Sequence, residues 1–411
     1  MNQALADTHQ FNAQKLIGLG EHAELIVTRV KDFAHPMEQD ASEARFVSLR
    51  EIGELLNVSH TAVQKAVAGI RDRLSGETKP GRTYQFSLAD SIAIREEMGR
   101  MRRRAPGEPC VVLGVMNFKG GVAKSTTTAH LAQNLALHGY RTLAIDCDPQ
   151  GTLSTLFGIH PDLELTADDT LVPYFEGTQK SLHYCIKGHT DIPTLSVIPA
   201  NVGLAQADLI LPARQQAQQH TGWYYFSALA EGIRTIEQDF DIILLDCPPS
   251  MSYLTTVAIQ ACDNLLLPMR PSMPDFASSA QFIRMFSSFQ ADVDAILGYE
   301  KTFDWIRVLI TLGEKNNTSI EMEDIIRAAY GEVVLPQKFP YLTAVATAAK
   351  RMRTIYDVNR ADIPSRQLVA AQMLVDQMCS SIEDLVLRTR AKRAAQAGTG
   401  SGRAAVTGEA A

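Results

Sequence analysis

The sequence predicts an α/β protein: a P-loop-type, mostly parallel sheet covered by helices, preceded by a smaller, mostly α winged helix-turn-helix domain. Three observations carry this. From residue 110 onward short apolar runs alternate with helical segments, the pattern of parallel strands joined by crossover helices. The first run, Val111–Met116, breaks into a glycine pair and then into TTAHLAQNLALHG, which has helical apolar spacing. Upstream, between residues 46 and 75, two short helical patterns flank the polar turn Asn57-Val58-Ser59.

Composition narrows the function classes. A chain of 411 residues has room for one large or two modest domains with attachments, and 45% apolar with 21% charged residues is ordinary for a globular protein. No stretch reaches the length of uncharged apolar residues that a membrane helix needs, and MNQALADTHQ lacks a basic-then-apolar signal pattern. The six cysteines (110, 147, 185, 247, 262 and 379) are scattered without CxxC pairs. They read as reduced core thiols of a cytoplasmic protein, which disfavours iron–sulfur ligation. A net charge of −7 argues against a uniformly basic nucleic-acid binder but leaves two basic clusters, Arg100–Arg104 and Lys350–Arg353.

In chain order, residues 1–45 form an intermittently apolar helical segment suited to dimerisation, to packing on its own domain or to partial fraying. Residues 46–105 form the winged helix-turn-helix domain and its basic linker. There Ser48 and Glu51 give a capping-box pattern ahead of LREIGELL. A second helix begins near Ser59, with Ile52, Leu55, Val58, Val63, Val67 and Ile70 facing inward. That leaves Ser59, His60, Thr61, Gln64 and Lys65 for a DNA groove, Gln and Lys as base-edge readers and Ser and Thr for phosphates. A plain αα-hairpin fits the same pattern. Residues 81–86 suit a wing strand, Ser87 caps the next helix, and 101–109, rich in Arg and Pro, reads as an inter-domain linker that either touches phosphates or is merely solvated. Residues 106–391 form the α/β domain. Its expected strands are 111–117, 142–146, 195–199, 242–246, 264–268 and 306–311, with 333–335 as a short addition. A helix over about 365–390 packs through Leu368, Met373, Leu374, Met378, Ile382 and Leu385, and 392–411 is a flexible tail without bulky apolar anchors.

The chemistry gathers at strand ends. Lys119, Gly120, Gly121, Val122, Ala123, Lys124, Ser125 and Thr126 form a glycine turn running into a helix N-terminus. Backbone N–H groups and the helix dipole there cradle phosphates, Lys124 reaches the β/γ-phosphates, and Ser125 suits Mg²⁺. The standard motif wants glycine where this chain has Phe118 and Ala123. A second box, IDCDPQG, places Asp146 and Asp148 at a strand end; an Asp-Pro turn of no chemical use satisfies it too. The third, FDIILLDCPP, ends an apolar strand in Asp246, a candidate Mg²⁺ ligand through a bound water.

The early lysine and the order of the three boxes resemble the deviant Walker A ATPases of the ParA/MinD superfamily, over about 106–390. Within it the chain is most similar to the larger plasmid partition ATPases with an N-terminal DNA-binding domain, and also to RepA of repABC replicons. The resemblance implies a homodimer with two ATP molecules sandwiched between subunits, Lys119 reaching the partner's nucleotide and Asp148 orienting the attacking water with Asp146 in support. It implies ATP-dependent binding of nonspecific DNA, for which Lys350, Arg351 and Arg353 are candidates, although a solvated helix face suits each of them singly. It also implies weak basal hydrolysis stimulated by a ParB-like centromere-binding protein, higher-order assembly on DNA, a nucleoid-associated location without membrane, and repression of its own operon. A nucleotide-sensing transcriptional regulator and a MinD-like positioning ATPase are the alternatives.

Overall fold

The computed structural model describes residues 45–56, 58–75, 85–358 and 361–398. The expected dimerisation segment up to residue 44, the start of the wing strand at 81–84 and the tail from 399 lie outside them.

Strand β1 (Phe46–Ser48) leads into helix α1 (Leu49–Leu56), and α2 (His60–Gly69) follows. Strand β2 (Gln85–Ser87) pairs antiparallel with β1 and runs into α3 (Leu88–Glu97). Local chemistry fixes these starts. Ser48 accepts from Glu51 N at 3.3 Å while Glu51 Oε2 accepts from Ser48 N at 2.9 Å. Ser87 and Asp90 form the same reciprocal box at α3. Ser59 caps α2 by accepting from Ala62 N.

The large sheet is built from β3 (Val111–Val115), β4 (Thr142–Asp146), β5 (Lys187–Gly188), β6 (Leu195–Ile198), β7 (Ile242–Asp246), β8 (Asn264–Met269) and β9 (Trp305–Ile310). Their order is β5-β6-β4-β7-β3-β8-β9, parallel except for β5. The helices named below are α4 (Lys124–Leu137), α5 (Thr152–Leu156), α6 (Ala207–Ala217), α7 (Ala228–Arg234), α8 (Tyr253–Ala261), α9 (Met273–Leu297), α10 (Asn317–Tyr330), α11 (Thr343–Ala349) and α12 (Ser365–Gly398).

Strand alternation sorts the core into two layers. Val111, Leu113, Val115, Ala144, Ile242 and Leu244 face α4, α12 and the N-terminal elements, including Val47, Ile52 and Val63. Val112, Leu143, Ile145, Ile243 and Leu245 face α6, α7, α8 and α9. The parallel central strands are therefore buried on both sides, which is why they read as unbroken apolar runs. All six cysteines are free and buried in these layers.

Several expectations are corrected. Residues 333–335 form no strand: Val333 ends a 3₁₀ turn and Val334 makes one isolated bridge to Val308. The antiparallel edge strand β5 was not expected. Met373 and Leu374 are exposed on α12, whose buried face is Leu368, Ala371, Val375, Met378, Ile382 and Val386. That helix runs on to Gly398, past the expected start of the tail.

The basic linker is not a free strap. Arg102 pairs with buried Glu383 of α12. Arg104 donates from Nε to Phe240 O at 3.0 Å and from its backbone N to Asp241 Oδ1 at 3.0 Å. Arg103 pairs with Glu96 at 3.3 Å. With Arg102 on Glu383 and Arg104 on Asp241, this run is held against the α/β domain. The N-terminal elements share that core, and the described residues form one compact unit. Among them no helix is long and apolar enough to cross a membrane.

Candidate functional site

Three strands set the site. β4, β7 and β3 are neighbours, and their register aligns Asp146 with Asp246 and Asp246 with Val115. The residues that follow these strand ends therefore emerge together at the carboxyl edge, where an open α/β sheet places its ligands.

After β3, Asn117 turns the chain into the glycine loop. Its Oδ1 accepts from Lys119 N at 3.1 Å, and its Nδ2 donates to Pro268 O at 2.8 Å and Ser279 Oγ at 2.9 Å. Gly121 has φ +73° and Ala123 has φ 64°, ψ 34°. The left-handed conformation that glycine usually supplies at 123 is thus kept by alanine, at a cost of about 1–2 kcal/mol. Ala123 occupies the cap position of α4 and offers no side-chain hydrogen bond. The first N–H groups of α4 are accordingly left for an anion.

Lys124 is buried, with Nζ donating to Lys119 O at 3.3 Å. Burial lowers its pKa, while Asp246 and Asp148 pull the other way. Asp246 is fully buried; Oδ1 accepts from Thr128 Oγ1 at 3.3 Å, and Thr128 also donates to Lys124 O. Burial, with Asp146 beside it, pushes the Asp246 carboxyl well up, although Ser125 and Lys124 favour its ionised form. Its Oδ2 is sealed from solvent with no donor in hydrogen-bonding geometry among the described residues. A buried oxygen in that state, beside a serine hydroxyl and a second carboxylate, suits a hard divalent cation.

Asp146 has different employment. Its Oδ2 accepts from Ser154 N at 2.9 Å and Ser154 Oγ at 2.8 Å, and its Oδ1 accepts from Asp148 N at 3.1 Å. Burial again raises its pKa. It shapes the turn that carries Asp148. Asp148 is nearly buried, accepts from Gln150 N at 3.0 Å, and acts on both Lys124 and Asp246. Gly151 closes this turn at φ +62°, where a Cβ would lie 2.6 Å from Pro161 Cγ and 2.8 Å from Ala200 O. Only glycine fits there.

The structure thus brings together Gly120, Gly121, Val122, Ala123, Lys124, Ser125, Thr126, Asp146, Asp148 and Asp246. Lys119 stands at the rim, exposed, its ammonium without a partner among the described residues. Asn117, Thr128, Ser154 and Thr311 belong to the same assembly and were missed. Asn117 had a signal, a lone amide ending an apolar strand. The other hydroxyls had none, since their partners are distant in sequence or one helical turn away.

The remaining candidates lie elsewhere. Ser59, His60, Thr61, Gln64 and Lys65 are all exposed on one end of α2. Of the second basic cluster only Lys350 is exposed without a partner among the described residues. Arg351 pairs with Asp362 at 3.1 Å, and Arg353 with Asp191 at 2.9 Å and Asp357 at 3.7 Å. Through these pairs Arg353 anchors the segment after α11.

A family model described as an AAA domain matches residues 110–298. A putative replication protein A of Rhizobium rhizogenes is 34% identical over 323 residues, 75% of this chain and 79% of that one. Protein SopA of Escherichia coli K12 is 32% identical over 329 residues, 77% of this chain and 83% of SopA. A solved structure described as a partition protein covers 80% of this chain and 96% of its own length at a TM-score of 0.60; at 19% identity this is a likeness of fold.

Proposed function

The chain belongs to the SopA/ParA family of partition ATPases, and from that membership we propose that it is an ATP-driven segregation switch for a plasmid or secondary replicon. Its substrate is ATP with Mg²⁺. The loop N–H groups from Gly120 to Thr126 hold the phosphate oxygens, and Lys124 neutralises the terminal phosphates. Ser125 and Asp246 hold the magnesium ion, which when bound offsets charge on those oxygens. Asp148 orients the attacking water, and Asp146 keeps Asp148 in place. Lys119 reaches the nucleotide of a second copy in a sandwich dimer. That dimer binds bulk DNA, and a ParB-like protein stimulates its hydrolysis. Residues 46–105 serve as an operator-reading domain through the exposed end of α2, and the protein acts in the cytoplasm on the nucleoid.

One observation carries this reading: Lys124 is buried against two acidic groups from two other strand ends, and one buried Asp246 oxygen has no donor in hydrogen-bonding geometry among the described residues. Such a site is built for a polyanion with its cation. The test is paired. Lys124→Ala should abolish nucleotide binding. Asp148→Ala should still bind ATP and hydrolyse it at least about tenfold more slowly. Equal turnover in the Asp148 variant and the wild type removes Asp148 from its role. Background turnover by the wild type with partner and DNA present favours the nucleotide-sensing regulator instead.

A further inference from the structure

A strand outside the three boxes also reaches the phosphate loop. Thr311, the residue after β9, is fully buried and donates from Oγ1 to the Val122 carbonyl at 3.0 Å. Val122 is the residue before the strained Ala123 and is itself buried.

The geometry of a trans peptide gives this contact its meaning. Carbonyl and N–H of one peptide plane point in opposite directions. Holding the Val122 carbonyl down toward Thr311 therefore turns the Ala123 N–H away from the core, out toward the face of the loop. Released, the 122–123 plane is free to turn over, and the left-handed strain at Ala123 favours that release. A flipped plane presents an oxygen, not a donor, to an arriving phosphate.

Thr311 is itself held firmly. Its backbone N donates to Met269 O at 2.8 Å, and it bridges in parallel to Phe339. The next residue, Leu312, sits at φ 53° with its N–H on Phe339 O at 2.7 Å. The hydroxyl is thus placed by two neighbouring segments of the chain, at Met269 and Phe339, and not by the loop it supports.

We infer that Thr311 is a positioning residue for the nucleotide site, holding the Val122–Ala123 peptide in the orientation that offers the Ala123 N–H to a phosphate. It touches no substrate and acts through the loop alone. The inference rests on the ATP-binding reading above.

The test compares Thr311→Val, which keeps the shape and removes the hydroxyl, with Thr311→Ser, which keeps the hydroxyl. ATP and ADP affinity are measured by titration beside thermal melting. Thr311→Val should bind both nucleotides about tenfold more weakly or worse, while Thr311→Ser stays within about twofold of wild type. Equal affinity of Thr311→Val and wild type overturns the inference. Equal weakening of both variants also overturns it, because packing and not the hydroxyl is then responsible. Should Thr311→Val not fold, Thr311→Ala against Thr311→Ser carries the same contrast. A crystal structure of the nucleotide-free valine variant separates this inference from the ATP reading: it should show the 122–123 peptide turned over, whatever wild type binds, and an unmoved peptide contradicts it.

Discussion

At the scale of single residues, the site is an exercise in unpaid electrostatics. Two buried carboxyls and one buried ammonium crowd the ends of β4, β7 and β3, and burial works against the charged form of each. The loop is correspondingly strained at Ala123. Alanine tolerates the left-handed region at modest expense, but a β-branched side chain does not. Ala123→Val should therefore weaken nucleotide binding by more than about tenfold, measured by titration, with a much smaller change in melting temperature. Unchanged affinity would mean that the strained geometry is not what binds. Lys124, Ser125, Asp148 and Asp246 were legible in the sequence because the loop and strand-end patterns are contiguous. Asn117 left a signal in its place at the end of an apolar strand, whereas the contact of Thr311 with Val122 spans the fold and contiguity carries no trace of it.

At the scale of elements, the joint between α3, the residues after it and α12 departs most from what the sequence suggests. A run of arginines and prolines reads as a linker because local composition does not record distant partners. The partners are Glu383 on α12, which accepts a contact from His138 Nδ1 at 3.0 Å and pairs with Arg102, and Asp241 beside Arg104. Burial alone would raise Glu383, yet His138 and Arg102 outweigh it and hold the carboxyl at about 2, below its ordinary 4.5. A carboxyl depressed in the fold contributes stability above its unfolded pKa and loses it as pH falls toward the folded one. The joint should accordingly weaken between about pH 4.5 and 2. Glu383→Gln should lower stability at neutral pH by about 1–3 kcal/mol and lose its share of that acid sensitivity. Denaturant titrations at pH 7 and pH 3.5 check this; midpoints equal to wild type at both pH values would show the joint to be incidental.

At the scale of the whole molecule, the parallel sheet and its strand ends were readable, and its edges were not. Central strands buried on both faces announce themselves as apolar runs, whereas β5 is two residues long and Val334 makes a single bridge. On α12, apolar spacing misassigned Met373 and Leu374, because a helix of 34 residues carries more apolar positions than its contact with the sheet uses. The N-terminal elements share the core of the α/β layer, so the exposed end of α2 and the phosphate loop belong to one body. What the molecule does with ATP should then be visible as what it does with DNA. The most direct measurement is DNA binding by the full-length protein with ADP, with ATP and without nucleotide, on random duplex DNA and on the region upstream of its own gene. Random DNA should be bound in ATP and not in ADP or without nucleotide, with strong salt dependence. Binding to random DNA that is the same in all three states would contradict the account of an ATP-operated switch.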